Sequence, residues 1–173
     1  MKILIIGNIT SGKTTLGKKL EEMLEYEFVR IDSIREEHLD GTVSGEYLCL
    51  HNFIKKMEQK NNAMFEFTGA GCHKHAIKRV LEQYPGKKLI VLCRTSNIQI
   101  IEARIEKKTY SYEHPFGIDI RQHIYKVEEE LKDDIKNEFW KMNNSVILGV
   151  HMNCIENIEQ NAISIYDRIG KES

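Results

Sequence analysis

The sequence predicts an α/β fold: three αβα layers built around a doubly wound, five-stranded parallel sheet. Short apolar runs of strand type alternate with helical hydrophobic patterns along all 173 residues, as is typical of such sheets. A glycine-rich segment, residues 7–14, joins the first apolar run to the first helical pattern. A chain of this length forms one domain with a full core, so we expect a single domain over residues 1–173.

The elements follow from the hydrophobic spacing. Strands are predicted from five apolar runs, at residues 2–6, 27–31, 63–67, 88–93 and 145–148. Apolar residues three and four positions apart predict helices, the first through Leu16, Leu20 and Leu24 and the others over 44–60, 73–84, 97–107, 120–139 and 155–169. Residues 108–118 lack this periodicity, and we expect a mobile lid over about 104–121.

Composition narrows the class of protein. Hydrophobic residues make up 41% and charged residues 29% of the chain, with a formal net charge of −1, which argues against a broad basic face for nucleic acid or membrane. No run approaches the roughly 20 apolar residues of a membrane span. Four scattered cysteines without a C-x-x-C pair predict free thiols. Without a secretory signal, we expect a cytoplasmic protein.

Residues 7–14 read Gly-Asn-Ile-Thr-Ser-Gly-Lys-Thr, a full match to the phosphate-binding pattern G-x-x-x-x-G-K-[ST]. Its backbone N–H groups point at an anion, and the helix that follows adds its dipole. Lys13 is expected to reach the β- and γ-phosphates of ATP, and the Thr14 hydroxyl to ligate Mg²⁺. The predicted nucleotide-binding residues are Gly7, Asn8, Ile9, Thr10, Ser11, Gly12, Lys13, Thr14 and Thr15.

Other polar residues follow the ends of predicted strands, where ligands bind in open α/β sheets. Asp32 either accepts the proton of an acceptor hydroxyl or caps a helix. Arg35, one helical turn onward, is either an ion-pair partner of Asp32 or a clamp for an anionic acceptor. Glu66 holds Mg²⁺ through water, binds acceptor hydroxyls, or is a buried carboxylate with a partner. Gly69 and Gly71 are expected to frame the acceptor pocket.

On these residues the chain resembles the P-loop kinases of small molecules and nucleotides, which include nucleoside monophosphate, shikimate, gluconate, adenylylsulfate and 5′-polynucleotide kinases. Asp32-Ser33-Ile34-Arg35 is similar to the D-x-x-R arrangement that handles the acceptor in such kinases. The stretch from Arg104 to Lys108 is similar to their lid motif R-x-x-x-R, with lysine in the second place. The resemblance implies a nucleoside kinase-like fold, with Arg104 against the adenine or phosphates and Lys108 neutralising the transferred phosphate.

The sequence therefore predicts a Mg²⁺- and ATP-dependent phosphotransferase that acts on a small hydroxyl- or phosphate-bearing acceptor. The acceptor is expected between Asp32, Arg35 and residues 66–71, and the base of the nucleotide near residues 150–153. Lys13, Asp32, Arg35, Arg104 and Lys108 are the candidate catalytic residues. Two alternatives stay open: a non-catalytic or regulatory ATP-binding module, and a 5′-hydroxyl polynucleotide kinase, against which the near-neutral charge counts.

For several remaining polar residues, the sequence gives weaker evidence of a role in function. Cys72-His73-Lys74-His75 lacks a second cluster at zinc spacing, so no metal site is predicted there. Arg121 either contacts phosphate or belongs to the surface. Surface or packing positions are expected for four further histidines, at 51, 114, 123 and 151.

Overall fold

The computed structural model of the protein describes residues 1–38, 40–107 and 119–172. The strands are β1 (Lys2–Gly7), β2 (Glu27–Arg30), β3 (Ala63–Glu66), β4 (Lys88–Arg94) and β5 (Ser145–His151). The helices are α1 (Lys13–Leu24), α2 (Ile31–His38), α3 (Val43–Gln59), α4 (Lys74–Gln83), α5 (Ile98–Ile105), α6 (Ile120–Lys136) and α7 (Ile155–Glu172).

The five strands form one parallel sheet in the order β2-β3-β1-β4-β5. The chain leaves β1 toward one side of the sheet for β2 and β3, and then continues on the other side with β4 and β5. The carboxyl end of β1 therefore lies at a topological switch point, where such sheets bind ligands. The predicted fold class is confirmed.

Side chains of β1 alternate between two buried layers, one on each face of the sheet. Ile3 and Ile5 pack in a layer with residues of α1 and α7. Leu4 and Ile6 pack in the opposite layer, which includes residues of α2, α3, α4 and α6. Because both faces are covered, every residue of β1 is buried. The phosphate-binding segment therefore follows directly from a strand that packing holds in place.

The structure corrects some predicted boundaries. Ile31 was predicted to end the second strand, but it begins α2, where it and Ile34 share one buried helical face. Asp32 therefore lies in the first turn of α2 and is not its N-cap. The fifth strand continues to His151, because pairing with β4 extends to the Arg94–His151 register. The predicted lid segment 108–118 lies outside the described residues.

Two expectations from composition are also met. All four cysteines are free thiols, as predicted. Among the described residues, no helix is both long enough and apolar enough to cross a membrane.

The Phe53 ring, on the buried face of α3, meets Phe65 of β3 edge-on with 6.0 Å between ring centroids. Replacing Phe53, which is fully buried, with alanine is expected to lower the free energy of unfolding by about 3–5 kcal/mol, because the cavity cannot collapse. Urea denaturation measures this loss. The control is Leu48→Ala in the same helix, where the side chain is exposed and the loss should stay below about 1 kcal/mol. Equal losses in both variants would contradict the assigned core.

Candidate active site

The loop between β1 and α1 curls tightly, and two glycines permit this geometry. Gly12 has φ 98° and Gly7 has φ 153°, values that side chains disfavour. A Cβ atom at Gly7 would also lie 2.4 Å from the carbonyl oxygen of Cys93 in the neighbouring strand. The backbone thus packs too closely at Gly7 for any side chain.

The N-terminus of α1 is directed at this loop without a capping side chain. Elsewhere the side chains of Thr42, Asn97 and Asp119 cap α3, α5 and α6 by accepting hydrogen bonds from backbone N–H groups. Among the described residues, no side chain caps α1, and its first turn contains no acidic residue. Its amides and its dipole therefore favour an anion supplied from outside the protein.

Lys13 and Thr14 place an ammonium group and a hydroxyl at the start of α1. The Lys13 ammonium is buried and donates to the Asn8 carbonyl oxygen at 2.8 Å. The Thr14 hydroxyl donates to Glu66, with 2.8 Å and 3.0 Å to the two carboxylate oxygens. Burial raises the pKa of Glu66, an effect that the charge of Lys13 and the hydrogen bond from Thr14 oppose.

Thr14 and Glu66 are the residues that fit a magnesium ion. Mg²⁺ prefers oxygen ligands and is usually held by one or two protein oxygens together with substrate phosphates. The hydroxyl and the carboxylate lie side by side next to the uncapped end of α1, which supplies that arrangement. Among the described residues, no group of three or more histidine, cysteine, aspartate or glutamate side chains is placed to hold a metal ion.

Asn8 fixes the loop to a distant helix. Its side-chain amide donates to the carbonyl oxygen of Ile124 at 2.9 Å and to a Glu128 carboxylate oxygen at 3.0 Å, both in α6. Its side-chain oxygen accepts from the backbone N–H of Ile9 at 2.8 Å. Ser11 is fully buried, and within the described part of the chain its hydroxyl has no hydrogen-bond partner. An unsatisfied buried hydroxyl in such a loop fits an anion-binding role.

A cavity of about 610 Å³ opens from the phosphate-binding loop toward α2 and α4. Gly12, Lys13 and Thr14 line one part of it, and Asp32 and Arg35 line another. The structure therefore brings the predicted phosphate and acceptor residues into one space. The remaining lining residues are Ile9, Thr10, Thr15, Ile31, Glu46, Glu66, Phe67, Thr68, Ala70, Gly71, Cys72, His73, Ile120, His123 and Lys126.

Glu46 is a cavity residue that the sequence did not reveal. It is buried, with 2% of its surface exposed, in the first turn of α3. Arg35 donates to it through Nε, at 2.9 Å to Oε2, and through Nη2. His73 Nε2 lies 2.9 Å from Glu46 Oε1. Burial would raise the pKa of Glu46, but the hydrogen bonds and charges of His73 and Arg35 outweigh it and lower the pKa to about 2.

Arg35 also contacts Asp32, with 3.1 Å between Nη1 and Oδ1. Of the two roles considered for Arg35, the ion pair with Asp32 is therefore present, and a second pair with Glu46 accompanies it. Asp32 and Glu66 line the same cavity, and the charge of Asp32 contributes to the raised pKa of Glu66.

Arg104 joins the phosphate-binding loop to the segment after β5. It donates to the carbonyl oxygen of Thr10 at 3.2 Å and to the carbonyl oxygens of Met152 and Asn153 at 2.9 Å each. The region assigned to the base and the loop assigned to the phosphates are thus connected by one guanidinium. Because β5 extends to His151, Val150 belongs to the strand, and only Met152 and Asn153 of the predicted base region follow it.

The remaining predicted residues differ in where they lie. Gly69 packs on Ile6, and a Cβ atom there would be 2.8 Å from the Ile6 Cβ. Arg121 is exposed and pairs with Glu106 at 3.4 Å, which agrees with the surface interpretation. Lys108 lies outside the described residues. His123 was expected on the surface or in packing, yet it lines the cavity from α6.

Several solved structures that align with this chain are kinases. Shikimate kinase from Acinetobacter baumannii in complex with shikimate aligns with a TM-score of 0.65, 16% identity, and coverage of 99% of this chain and 94% of that chain. Deoxyadenosine kinase from M. mycoides aligns with a TM-score of 0.64, 14% identity and full coverage of both chains. A gluconokinase from Sinorhizobium meliloti aligns with a TM-score of 0.61, 12% identity, and coverage of 99% and 97%.

The protein therefore has the fold of the P-loop kinases, and the resemblance inferred from its motifs is confirmed at the level of fold. A family model described as PduV-EutP, ethanolamine utilisation and propanediol utilisation, matches residues 1–64, which include β1, the phosphate-binding loop and α1. Comparison with curated proteins finds no match.

The low pKa of Glu46 predicts how stability depends on pH. Its pKa is about 2 in the folded protein against 4.5 as the ordinary value, so the stabilisation is present above about pH 4.5 and lost as pH falls toward about pH 2. A shift of this size corresponds to on the order of 3 kcal/mol. The difference in unfolding free energy between wild type and Glu46→Gln should therefore shrink as pH falls through this range.

Urea denaturation at a series of pH values measures that difference. The matched control is Glu82→Gln, which removes the carboxylate of an exposed ion pair with Lys78 within α4. It should change stability little at any pH, since exposed pairs contribute about 0–1 kcal/mol. A Glu46→Gln difference that is independent of pH would show that Glu46 does not gain its stabilisation as a carboxylate.

Proposed function

We propose that this protein is a Mg²⁺- and ATP-dependent phosphotransferase that moves the γ-phosphoryl group of ATP to a small hydroxyl- or phosphate-bearing acceptor. The observation that carries this proposal is the single cavity that Lys13, Thr14, Asp32 and Glu66 line together. A site that only bound nucleotide would need the loop and a place for the base. A space beyond the loop with a carboxylate in it supports transfer to a second molecule.

The phosphates of ATP would bind over residues 7–15, held by backbone amides of the loop and the ammonium of Lys13. Lys13 now donates to the Asn8 carbonyl, so its charge already lies against the loop. When bound, Mg²⁺ supplies charge neutralisation between the β- and γ-phosphates. The Thr14 hydroxyl, supported by Glu66, is the group we assign to it.

Asp32 is the group we assign to the acceptor. The acceptor oxygen would form a bond to the γ-phosphorus while the bond from that phosphorus to the bridging oxygen breaks and ADP leaves. The Asp32 carboxylate accepts the hydroxyl proton and orients the oxygen for in-line attack. For a phosphate-bearing acceptor, a phosphate oxygen would take the same place without a proton to remove.

Arg104 would hold the nucleotide side of the site, because it ties the loop carbonyl of Thr10 to the segment after β5. We place the base of ATP beside that segment. Residues 104–121 are assigned as the lid, with Lys108 as the group that neutralises the transferred phosphate. Closure of such a lid excludes water and so favours transfer over hydrolysis.

Replacing Lys13 with alanine is expected to lower acceptor-dependent ADP formation by about a hundredfold or more, the loss typical of removing one group that stabilises transition-state charge. A coupled ADP assay measures the rate, and circular dichroism checks the fold. Lys19→Ala, in the exposed part of the same helix, is the matched control and should keep the parent rate. ATP binding without any acceptor-dependent ADP release would instead favour a non-catalytic or regulatory module.

Replacing Asp32 with asparagine separates transfer from nucleotide binding. Asparagine keeps a side-chain oxygen for the hydrogen bond from Arg35, yet it cannot accept the proton. The turnover number should fall by about 10²–10⁴, the range for general base catalysis, while calorimetry detects retained binding of ATP with Mg²⁺. Asp133→Asn, on the exposed side of α6, is the control. Unchanged turnover in the Asp32 variant would remove Asp32 from the reaction.

A further inference from the structure

Arg35 is the arginine that lines the cavity, and acidic side chains of the protein already compensate its charge. Each of its three guanidinium nitrogens donates to a carboxylate: Nε and Nη2 to Glu46, and Nη1 to Asp32. Only 14% of the Arg35 side chain and 3% of the Glu46 side chain are exposed. The two charges therefore form a buried pair that fixes the planar fork of the arginine.

The positively charged groups at the start of α4 are paired in the same way. Lys74 contacts Glu130 at 2.8 Å and Asp134 at 2.7 Å. The backbone N–H of Gly71 donates to a Glu130 oxygen at 3.0 Å. His73 contacts Glu46 at 2.9 Å. Lys74, His73 and the Gly71 amide are thus engaged by carboxylates of the protein itself.

An anionic acceptor would have to take Arg35 away from Glu46. Removing one partner of a buried ion pair leaves the other charge buried without compensation, which is strongly unfavourable. Lys126 also lines the cavity, but it is exposed, so water and salt screen its charge. The buried pair of Arg35 with Glu46 therefore disfavours an added anion at Arg35.

We propose that the acceptor is an uncharged polyhydroxyl compound of the nucleoside or sugar class, and that Glu46 determines this specificity by holding Arg35. The proposal rests on the proposed phosphotransferase function and names its substrate class. A carboxylate can accept several hydrogen bonds, so Asp32 can bind an acceptor hydroxyl while it keeps Arg35. Ile31, Phe67 and Ile120 line the same cavity and offer apolar surface to a ring or carbon chain.

Matched neutral and anionic acceptors test this proposal on the full-length protein. The pairs are adenosine with AMP, deoxycytidine with dCMP, and glucose with gluconate, and the readout is ADP formation above the rate without acceptor. At least one neutral compound should support turnover, and its anionic partner should reach less than about a tenth of that rate, the factor given by about 1.4 kcal/mol. Faster turnover of an anionic member would overturn the proposal.

Calorimetry with ATP and Mg²⁺, run in parallel, distinguishes a failure of the acceptor assignment from a failure of the proposed function. If ATP binds but no member of any pair is turned over, the assignment to a nucleoside or sugar is wrong while the nucleotide site stands. If ATP does not bind to the folded protein, the proposed function itself fails.

The variant Glu46→Gln addresses the mechanism of specificity. It should release Arg35 and shift the ratio of anionic to neutral turnover upward by about tenfold or more, while Glu82→Gln leaves the ratio unchanged. Circular dichroism and retained ATP binding report whether the variant is folded. If it is not, Glu46→Asp keeps the charge, withdraws the carboxylate by one methylene, and should shift the ratio in the same direction. An unchanged ratio in a folded variant would overturn the role of Glu46.

Discussion

The site of this protein is arranged around the first turn of α1, whose backbone amides and dipole favour a bound anion. A helix that starts at the carboxyl end of a central, fully buried strand directs its amides and its dipole at one point in space. Among the described residues, no side chain caps α1 and no acidic residue lies in its first turn, so the protein itself supplies no negative charge there. Lys13 adds a further positive charge at the same point. The charge of Lys13 acts on Glu66, and Asp32 lines the same cavity.

The pKa values of two buried carboxyls in the site, Glu66 and Glu46, are set by different surroundings. Glu66 lines the cavity and is buried; burial raises its pKa, and the charge of Lys13 opposes that rise. Glu46 is also buried, but two basic side chains lower its pKa to about 2. The two carboxyls of one site therefore have their pKa values shifted in opposite directions, which is how neighbouring acids take on separate tasks.

Local patterns made the fold and the phosphate-binding loop predictable, because strand, glycine-rich turn and helix follow one another within residues 2–24. Glu46 could not be found in this way. An acidic residue in the first turn of a helix usually indicates a favourable interaction with the dipole at the surface. Its actual partners, Arg35 and His73, lie 11 and 27 residues away. The contact of Glu66 with Thr14 spans 52 residues and likewise exists only after the sheet has formed.

The hydrogen bonds from Asn8 to α6 affect how this protein can be divided into fragments. The side-chain amide of Asn8 donates hydrogen bonds to residues that lie 116 and 120 positions later in the chain. A fragment that ended after β3 would keep the whole motif and lose both anchors. The nucleotide loop therefore depends for two of its hydrogen bonds on a helix in the distal half of the polypeptide.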